Sequence, residues 1–214
     1  MILKLFDDMS QCTEAEVQRL LPLVSEQRRE QALRFRHLFG RFACLKSYEL
    51  LQWCVADVIS DAAEDEDFKR CLRTWDGSFV YNDHGKPFMH CQQKAGTGDV
   101  DFSISHCKNG IMVALDYHSI GVDIERFHQA EDSLLRKTMS ESEIELIHKA
   151  SNPDIAFTRL WTQKEAWLKM RGTGIVDELP HVLEPLSQQQ TYEMRTVVDE
   201  KKAYVYSIVK FLPC

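Results

Sequence analysis

The first residues, Ile2-Leu3-Lys4-Leu5-Phe6, form an apolar run of strand length. Ser25 is placed to cap a helix running through Arg36, with glutamate and arginine pairs on its exposed side. From Leu38 the apolar positions Phe42, Leu45, Tyr48, Leu51, Val55 and Ile59 recur every three or four residues, which predicts a long helix packed on a core. The acidic segment from Asp61 to Asp67 predicts a loop or short turn that ends this unit.

From Ser78 the period changes to two. Ser78 to Tyr81 reads as a short strand, ended by the turn-rich Asn82-Asp83-His84-Gly85. Val100, Phe102 and Ile104 alternate with Asp101, Ser103 and Ser105, the pattern of a half-buried strand. Asn109-Gly110 predicts a hairpin turn, Ile111 to Asp116 a returning strand, and Ile120 to Glu125 another after the turn at His118-Ser119. The helical period then resumes. Ser140 with Glu143 fits a capping box flanked by Met139 and Ile144 as a hydrophobic staple. A second helix opens near Asn152-Pro153, continues to about Arg171 and ends at Gly172-Thr173-Gly174. Tyr192 to Val198 and Ala203 to Phe211 predict two closing strands joined at Asp199-Glu200-Lys201. The order strand–helices–strands occurs twice, so the expected class is α+β, with a junction near Leu115 to Ile120.

A chain of 214 residues can bury a substantial core as one large domain or two compact halves. The seven cysteines, Cys12, Cys44, Cys54, Cys71, Cys91, Cys107 and Cys214, are odd in number and none is paired at C-x-x-C spacing. Neither a complete disulfide framework nor a zinc knuckle is implied, and a reducing cytoplasm is the expected location. Met1 to Phe6 is too short for a signal peptide before Asp7 and Asp8, and no apolar run approaches the roughly 20 residues of a membrane span. A net charge of −7 disfavours general nucleic-acid binding. Local charge differs: Arg28, Arg29, Arg34, Arg36, His37, Arg41 and Lys46 are opposed only by Glu30, which fits either a solvated helical face or a local anion site.

In Gly121-Val122-Asp123-Ile124-Glu125, a strand puts Val122 and Ile124 on one face and Asp123 and Glu125 on the other, about 7 Å apart along the chain. Paired carboxylates repel unless a cation lies between them, and a hard divalent ion prefers such oxygen ligands. Taken alone, the triplet is more often an acidic strand face. In Trp161-x-x-Lys164-Glu165-Ala166-x-x-x-Lys169, Glu165 and Lys169 fit an i,i+4 pair, yet Glu165 stands on the Trp161 side beside the buried stripe. A glutamate there needs a partner or a metal. Lys164 is read either as a motif lysine or as an exposed helix charge. No Walker A pattern occurs, and Gly172-x-Gly174 lacks a dinucleotide-binding setting.

Gly85-Lys86-Pro87, Phe102-Ser103-Ile104-Ser105-His106, Gly121 to Glu125, and Trp161 to Lys169 occur in this order and at these intervals. The series resembles the 4'-phosphopantetheinyl transferases, most closely their larger Sfp-like class. The resemblance implies two similar α+β halves in tandem, a pseudo-dimer with coenzyme A in the cleft between them; the corresponding boundaries are residues 1–116 and 117–214. It implies magnesium, or manganese, on Asp123, Glu125 and Glu165, with Glu165 or a metal-held water as the base. It further implies that Lys169 contacts the pyrophosphate, Ser105 and His106 the phosphates, and Gly85, Lys86 and Pro87 the adenine turn. Arg41 and Lys46 align at or near the places that hold the 3'-phosphate of coenzyme A, and Cys107 stands where a serine is frequent. The implied partner is an apo acyl or peptidyl carrier protein whose serine attacks the β-phosphate of coenzyme A, releasing 3',5'-ADP. Nucleic acid and membrane are not expected partners, and the pseudo-dimer implies a monomer. A coenzyme A-binding relative without catalysis and a different magnesium-dependent phosphotransferase are the competing readings.

Overall fold

A computed structural model of the chain describes residues 1–61, 64, 66–89, 100–174, 179–183 and 192–212. Its strands are β1 (Ile2–Phe6), β2 (Phe79–Tyr81), β3 (Pro87–Met89), β4 (Asp101–Cys107), β5 (Gly110–Asp116), β6 (Ile120–Arg126), β7 (Tyr192–Asp199) and β8 (Tyr204–Phe211). Its α-helices are α1 (Glu14–Leu20), α2 (Glu26–Leu33), α3 (Leu38–Ser60), α4 (Glu66–Arg73), α5 (Asp132–Thr138), α6 (Glu141–Lys149) and α7 (Pro153–Arg171). The class is α+β.

The strands form antiparallel sheets in the orders β1-β5-β4 and β6-β8-β7, with β2-β3 as a separate hairpin. Helix α3 covers one face of the first sheet: Phe42, Leu45 and Leu51 share a core with Phe102, Ile111, Val113 and Leu115. The opposite face contributes Met112 and Ala114 to a second core, with Val122 and Ile124 of β6 and Ile208 of β8. Alternation along β5 therefore buries both of its faces, one against a helix and one against the other sheet.

Strand β6 lies at the edge of its sheet, and the N–H groups it turns away from β8 need acceptors. Side chains of β4 supply them. Ile120 N donates to Asp101 Oδ2 (3.0 Å), Val122 N to Ser103 Oγ (3.0 Å) and Ile124 N to Ser105 Oγ (3.2 Å). The polar face of β4 is thus an acceptor row between two sheets. This corrects the half-buried expectation, since Asp101, Ser103 and Ser105 are all buried.

The helix signals lie close to the observed ends. Asn152 caps α7 by accepting Ile155 N at 3.1 Å, and Gly172 ends it in the left-handed conformation at φ 67°. Both capping-box bonds at Ser140 are present. Helix α2 stops at Leu33, short of the expected Arg36, because Phe35 leaves the helix to lie on Gly40 of α3. The acidic run gives way to α4, whose Phe68, Cys71 and Leu72 are buried. Among the described residues Cys12, Cys44, Cys54 and Cys107 are free thiols; Cys91 and Cys214 lie outside the described residues. No described helix is long and apolar enough to cross a membrane.

Gly121 sets the distance between β6 and α7. A Cβ there would stand 1.9 Å from Ala166 O and 2.5 Å from Met170 N, so strand and helix backbones are in contact. Gly121→Ala is expected to cost about 1–3 kcal/mol through overpacking. It should also lower any activity of the acid cluster roughly 100-fold, because reacting groups tolerate little displacement. Denaturant midpoints beside turnover rates check both; a variant matching the wild type in each would refute this account of the contact.

Candidate active site

The contact at Gly121 brings the flank of α7 against β6. Asp123, two residues along β6, is only 2% exposed, and its Oδ1 accepts Lys169 Nζ at 2.6 Å and Ser105 Oγ–H at 2.8 Å. Lys169 also donates to Ser105 Oγ at 3.0 Å. Three elements thus meet at one carboxylate oxygen: β4, β6 and α7. The second oxygen, Asp123 Oδ2, is buried without a hydrogen-bond partner, and so is Glu165 Oε1. Orphaned carboxylate oxygens are costly, and two in one site indicate a missing cation or donor.

The neighbouring acids feel one another. Burial first, then the Asp123 carboxylate, pushes Glu165 above its ordinary value. The same causes in the same order raise Glu125, and a bond from His128 Nε2 at 3.1 Å partly opposes them. Among the described residues these acids do not close into a ready-made metal cage. The Lys169 ammonium pairs with Asp123, and after burial the like charges of neighbouring carboxylates raise the pKa of Glu125 and Glu165. The donor set is entirely carboxylate oxygen, which suits a hard divalent ion, and the two orphaned oxygens leave it coordinating atoms. The residues therefore fit magnesium.

Beside the acids is a cavity of about 290 Å³, lined by Gly85, Lys86 and Pro87 from the β2–β3 turn, Phe102, Ser103 and Ile104 from β4, and Glu165 and Lys169 from α7. Asn82 Nδ2 donates to Gly172 O at 2.9 Å, which ties this turn to the end of α7. Lys86 Nζ donates to Asp101 Oδ2 at 2.5 Å and to Met170 O at 3.1 Å. Its ammonium therefore braces the cavity wall, and Gly85 permits the turn at φ 80°. His106 is exposed as a residue and meets Phe39 edge-on at 5.8 Å. Crowding by surrounding protein, then the Lys169 charge, lowers its pKa from the ordinary value.

The structure brings together Asp123, Glu125, Glu165, Lys169, Ser105 and His106, with Gly85, Lys86 and Pro87 alongside. It does not bring Arg41 or Lys46 to the cavity lining. Arg41 Nη2 donates to Glu14 Oε1 at 2.5 Å. Lys46 is 3% exposed, held by Glu49 Oε2 at 2.7 Å and Glu16 Oε1 at 2.9 Å, with its ammonium over the Phe6 ring. A phosphate reaching Lys46 would have to displace two carboxylates that repel it, so this lysine fits a structural ion pair. Sequence reasoning missed Asp101, which anchors both Lys86 and Ile120 N, and His128, which contacts Glu125. The spacing of Asp101 two before Ser103, and of His128 three after Glu125, is the only local signal for either.

The fold is α+β and the acid–lysine cluster lies beside a cavity, and comparison with known proteins adds to this geometry. Residues 119–210 match the model described as "ACPS: 4'-phosphopantetheinyl transferase superfamily". The chain is 34% identical over 99 residues to 4'-phosphopantetheinyl transferase gsp of Aneurinibacillus migulanus, covering 45% of this chain and 39% of that protein. It is 28% identical over 166 residues to 4'-phosphopantetheinyl transferase ffp of Bacillus subtilis, covering 76% of this chain and 66% of the relative. To 4'-phosphopantetheinyl transferase Sfp of Bacillus subtilis (strain 168) it is 25% identical over 165 residues, covering 76% and 66%. The chain thus spans between 39% and 66% of the length of these relatives. Residues 119–210 are similar to the 4'-phosphopantetheinyl transferase superfamily, and a longer stretch of the chain is similar to the Bacillus subtilis transferases ffp and Sfp.

Proposed function

We propose that this chain transfers the 4'-phosphopantetheine arm of coenzyme A to a serine hydroxyl of an apo carrier protein and releases 3',5'-ADP. The observation that carries the reading is the Asp123–Lys169–Ser105 junction, with its two orphaned carboxylate oxygens, opening beside the cavity under the Gly85–Pro87 turn. Residues 1–116 and 117–214 would act as two halves, the first giving β4 and the turn, the second giving β6 and α7.

Asp123, Glu125 and Glu165 would hold magnesium, or manganese, which when bound neutralises pyrophosphate charge and orients attacking and leaving oxygens. Lys169, 32% exposed, is free to swing its ammonium from Asp123 toward the departing phosphate and stabilise the charge that grows there. Glu165 would take the proton of the attacking serine. In the exchange, the serine oxygen bonds to the β-phosphorus, the bond from that phosphorus to the bridging oxygen breaks, and the electron pair leaves on 3',5'-ADP. Cys107 needs no role in this chemistry: burial raises its thiol pKa.

Incubation with coenzyme A, magnesium and a panel of apo acyl and peptidyl carriers tests the reading. Intact mass should rise by one phosphopantetheine arm on at least one carrier. Tight coenzyme A binding with no gain on any carrier would replace the transferase reading with that of a non-catalytic relative.

A further inference from the structure

We propose that Ser105 is a positioning residue of the metal site rather than a phosphate contact. The case begins with the inventory of one hydroxyl. A serine Oγ has one proton to donate and two lone pairs to accept. Here the proton goes to Asp123 Oδ1 at 2.8 Å, while Lys169 Nζ at 3.0 Å and Ile124 N at 3.2 Å take the lone pairs. Ser105 is also 6% exposed. A phosphate oxygen needs a donor, and this hydroxyl has already given its only hydrogen to a carboxylate.

Its place on the seam explains how it reached that position. Asp101, Ser103 and Ser105 form one acceptor row for the edge N–H groups of β6. Ser103 accepts Val122 N, two residues earlier on each strand. At Ser105 the same register places the hydroxyl beside Asp123, so a contact that joins two sheets also orients a carboxylate. With Oδ1 held by Ser105 and Lys169, the rotation of Asp123 is set, and Oδ2 is left buried and without a hydrogen-bond partner. Removing the hydroxyl frees that rotation and takes one anchor from Lys169.

This inference rests on the metal site of the transferase reading, and its test is chosen to separate the two. Manganese binding to the full chain is followed by electron paramagnetic resonance for the wild type, Ser105→Ala, Ser105→Thr and Ser103→Ala, with a melting curve for each. Coenzyme A binding in excess chelator is measured by calorimetry. Partners that orient metal ligands are typically worth 10–100-fold in metal affinity, so Ser105→Ala should bind manganese about 10–100-fold more weakly. Ser105→Thr, which keeps the hydroxyl, should recover most of that loss. Ser103→Ala, which removes a seam bond without touching Asp123, should bind manganese like the wild type. Metal-free coenzyme A affinity should be unchanged in Ser105→Ala.

Unchanged manganese binding with weakened coenzyme A binding in Ser105→Ala would overturn the proposal and restore the phosphate contact. Equal manganese losses in Ser105→Ala and Ser103→Ala would overturn it too, leaving a generic seam effect. A wild type that binds no manganese would overturn the metal reading itself, and this inference with it.

Discussion

Asp123→Ala is expected to lower phosphopantetheine transfer on the order of 10³-fold while the protein melts within about 4 °C of the wild type. The activity loss follows from geometry. Asp123 is the acid at which β4, β6 and α7 meet, and it carries one of the two orphaned oxygens. On the proposed reading, losing it would remove a metal ligand and the anchor of Lys169, both aimed at charge that develops during transfer. Several kcal/mol of transition-state stabilisation depends on such groups, and each 1.36 kcal/mol is a factor of ten in rate.

The small stability change comes from opposing effects on the same residue. Removal breaks an ion pair, but Lys169 is 32% exposed and can return its ammonium to water. It also deletes the negative charge that, after burial, raises Glu125 and Glu165. An acid kept for function destabilises its neighbours, and an acid kept for the fold does not. Thermal melting beside intact-mass assays of carrier loading checks the two halves of the prediction. Full activity in the variant would remove Asp123 from the site, and unfolding would make it a structural residue.

Legibility in the sequence depended on whether the deciding contacts were local. Helix α7 was readable at both ends because its stop signals lie within its own segment: Asn152, Pro153 and Gly172. The seven-residue α1 and α5 and the eight-residue α4 were missed, being too short for a period to establish itself. In α1 the signal was Thr13 three before Glu16, whose N–H the threonine side chain accepts, with Val17 and Leu20 buried behind it. That omission carried into the site. Without α1, Glu16 had no position and Lys46 looked free to bind phosphate. With α1 packed on α3, Lys46 finds Glu16 as well as Glu49, and Arg19 secures both acids by its own bonds at 2.7 Å.

Asp123, Glu125, Glu165 and Lys169 were nominated by the order of four short motifs and their resemblance to a family, since each motif alone fits an acidic strand face or a helix ion pair. The roles of Asp101, Ser103 and Ser105 were not legible, since alternation says which side chains share a face and nothing about what covers it. Only the packing of the second sheet onto β4 turns an apparently solvated row into acceptors for β6.

Lys164→Met is expected to destabilise the protein by about 3–5 kcal/mol, the usual cost of removing one partner from a buried ion pair. At roughly 2–4 °C per kcal/mol for a chain of this size, the melting temperature should fall by about 6–20 °C. Charge patterning along a helix assumes one wet face, and α7 defeats that assumption at this position: Lys164 is 0% exposed. Its ammonium donates to Glu143 Oε2 at 2.7 Å, Pro180 O at 2.8 Å, Thr138 O at 3.0 Å and Leu179 O at 3.1 Å. One side chain therefore joins the end of α5, the first turn of α6 and the 3-10 turn Leu179–His181 to the helix that bears Glu165. Glu143 Oε2 also accepts Ser140 N at 2.8 Å, so the cap of α6 and the buried pair share an oxygen. Methionine has a similar reach and no donor, which leaves three carbonyls and a carboxylate short of a partner. Because the loss is mainly stranded charge, Glu143→Gln should cost less in the Lys164→Met background than alone. A double-mutant cycle by urea unfolding measures that coupling at about 0.5–3 kcal/mol for residues in direct contact. Additive losses, or a Lys164→Met protein as stable as the wild type, would mean that the ammonium does not hold these elements together. A large coupling with near-wild-type manganese binding would confine Lys164 to the scaffold, one residue from Glu165 and outside its chemistry.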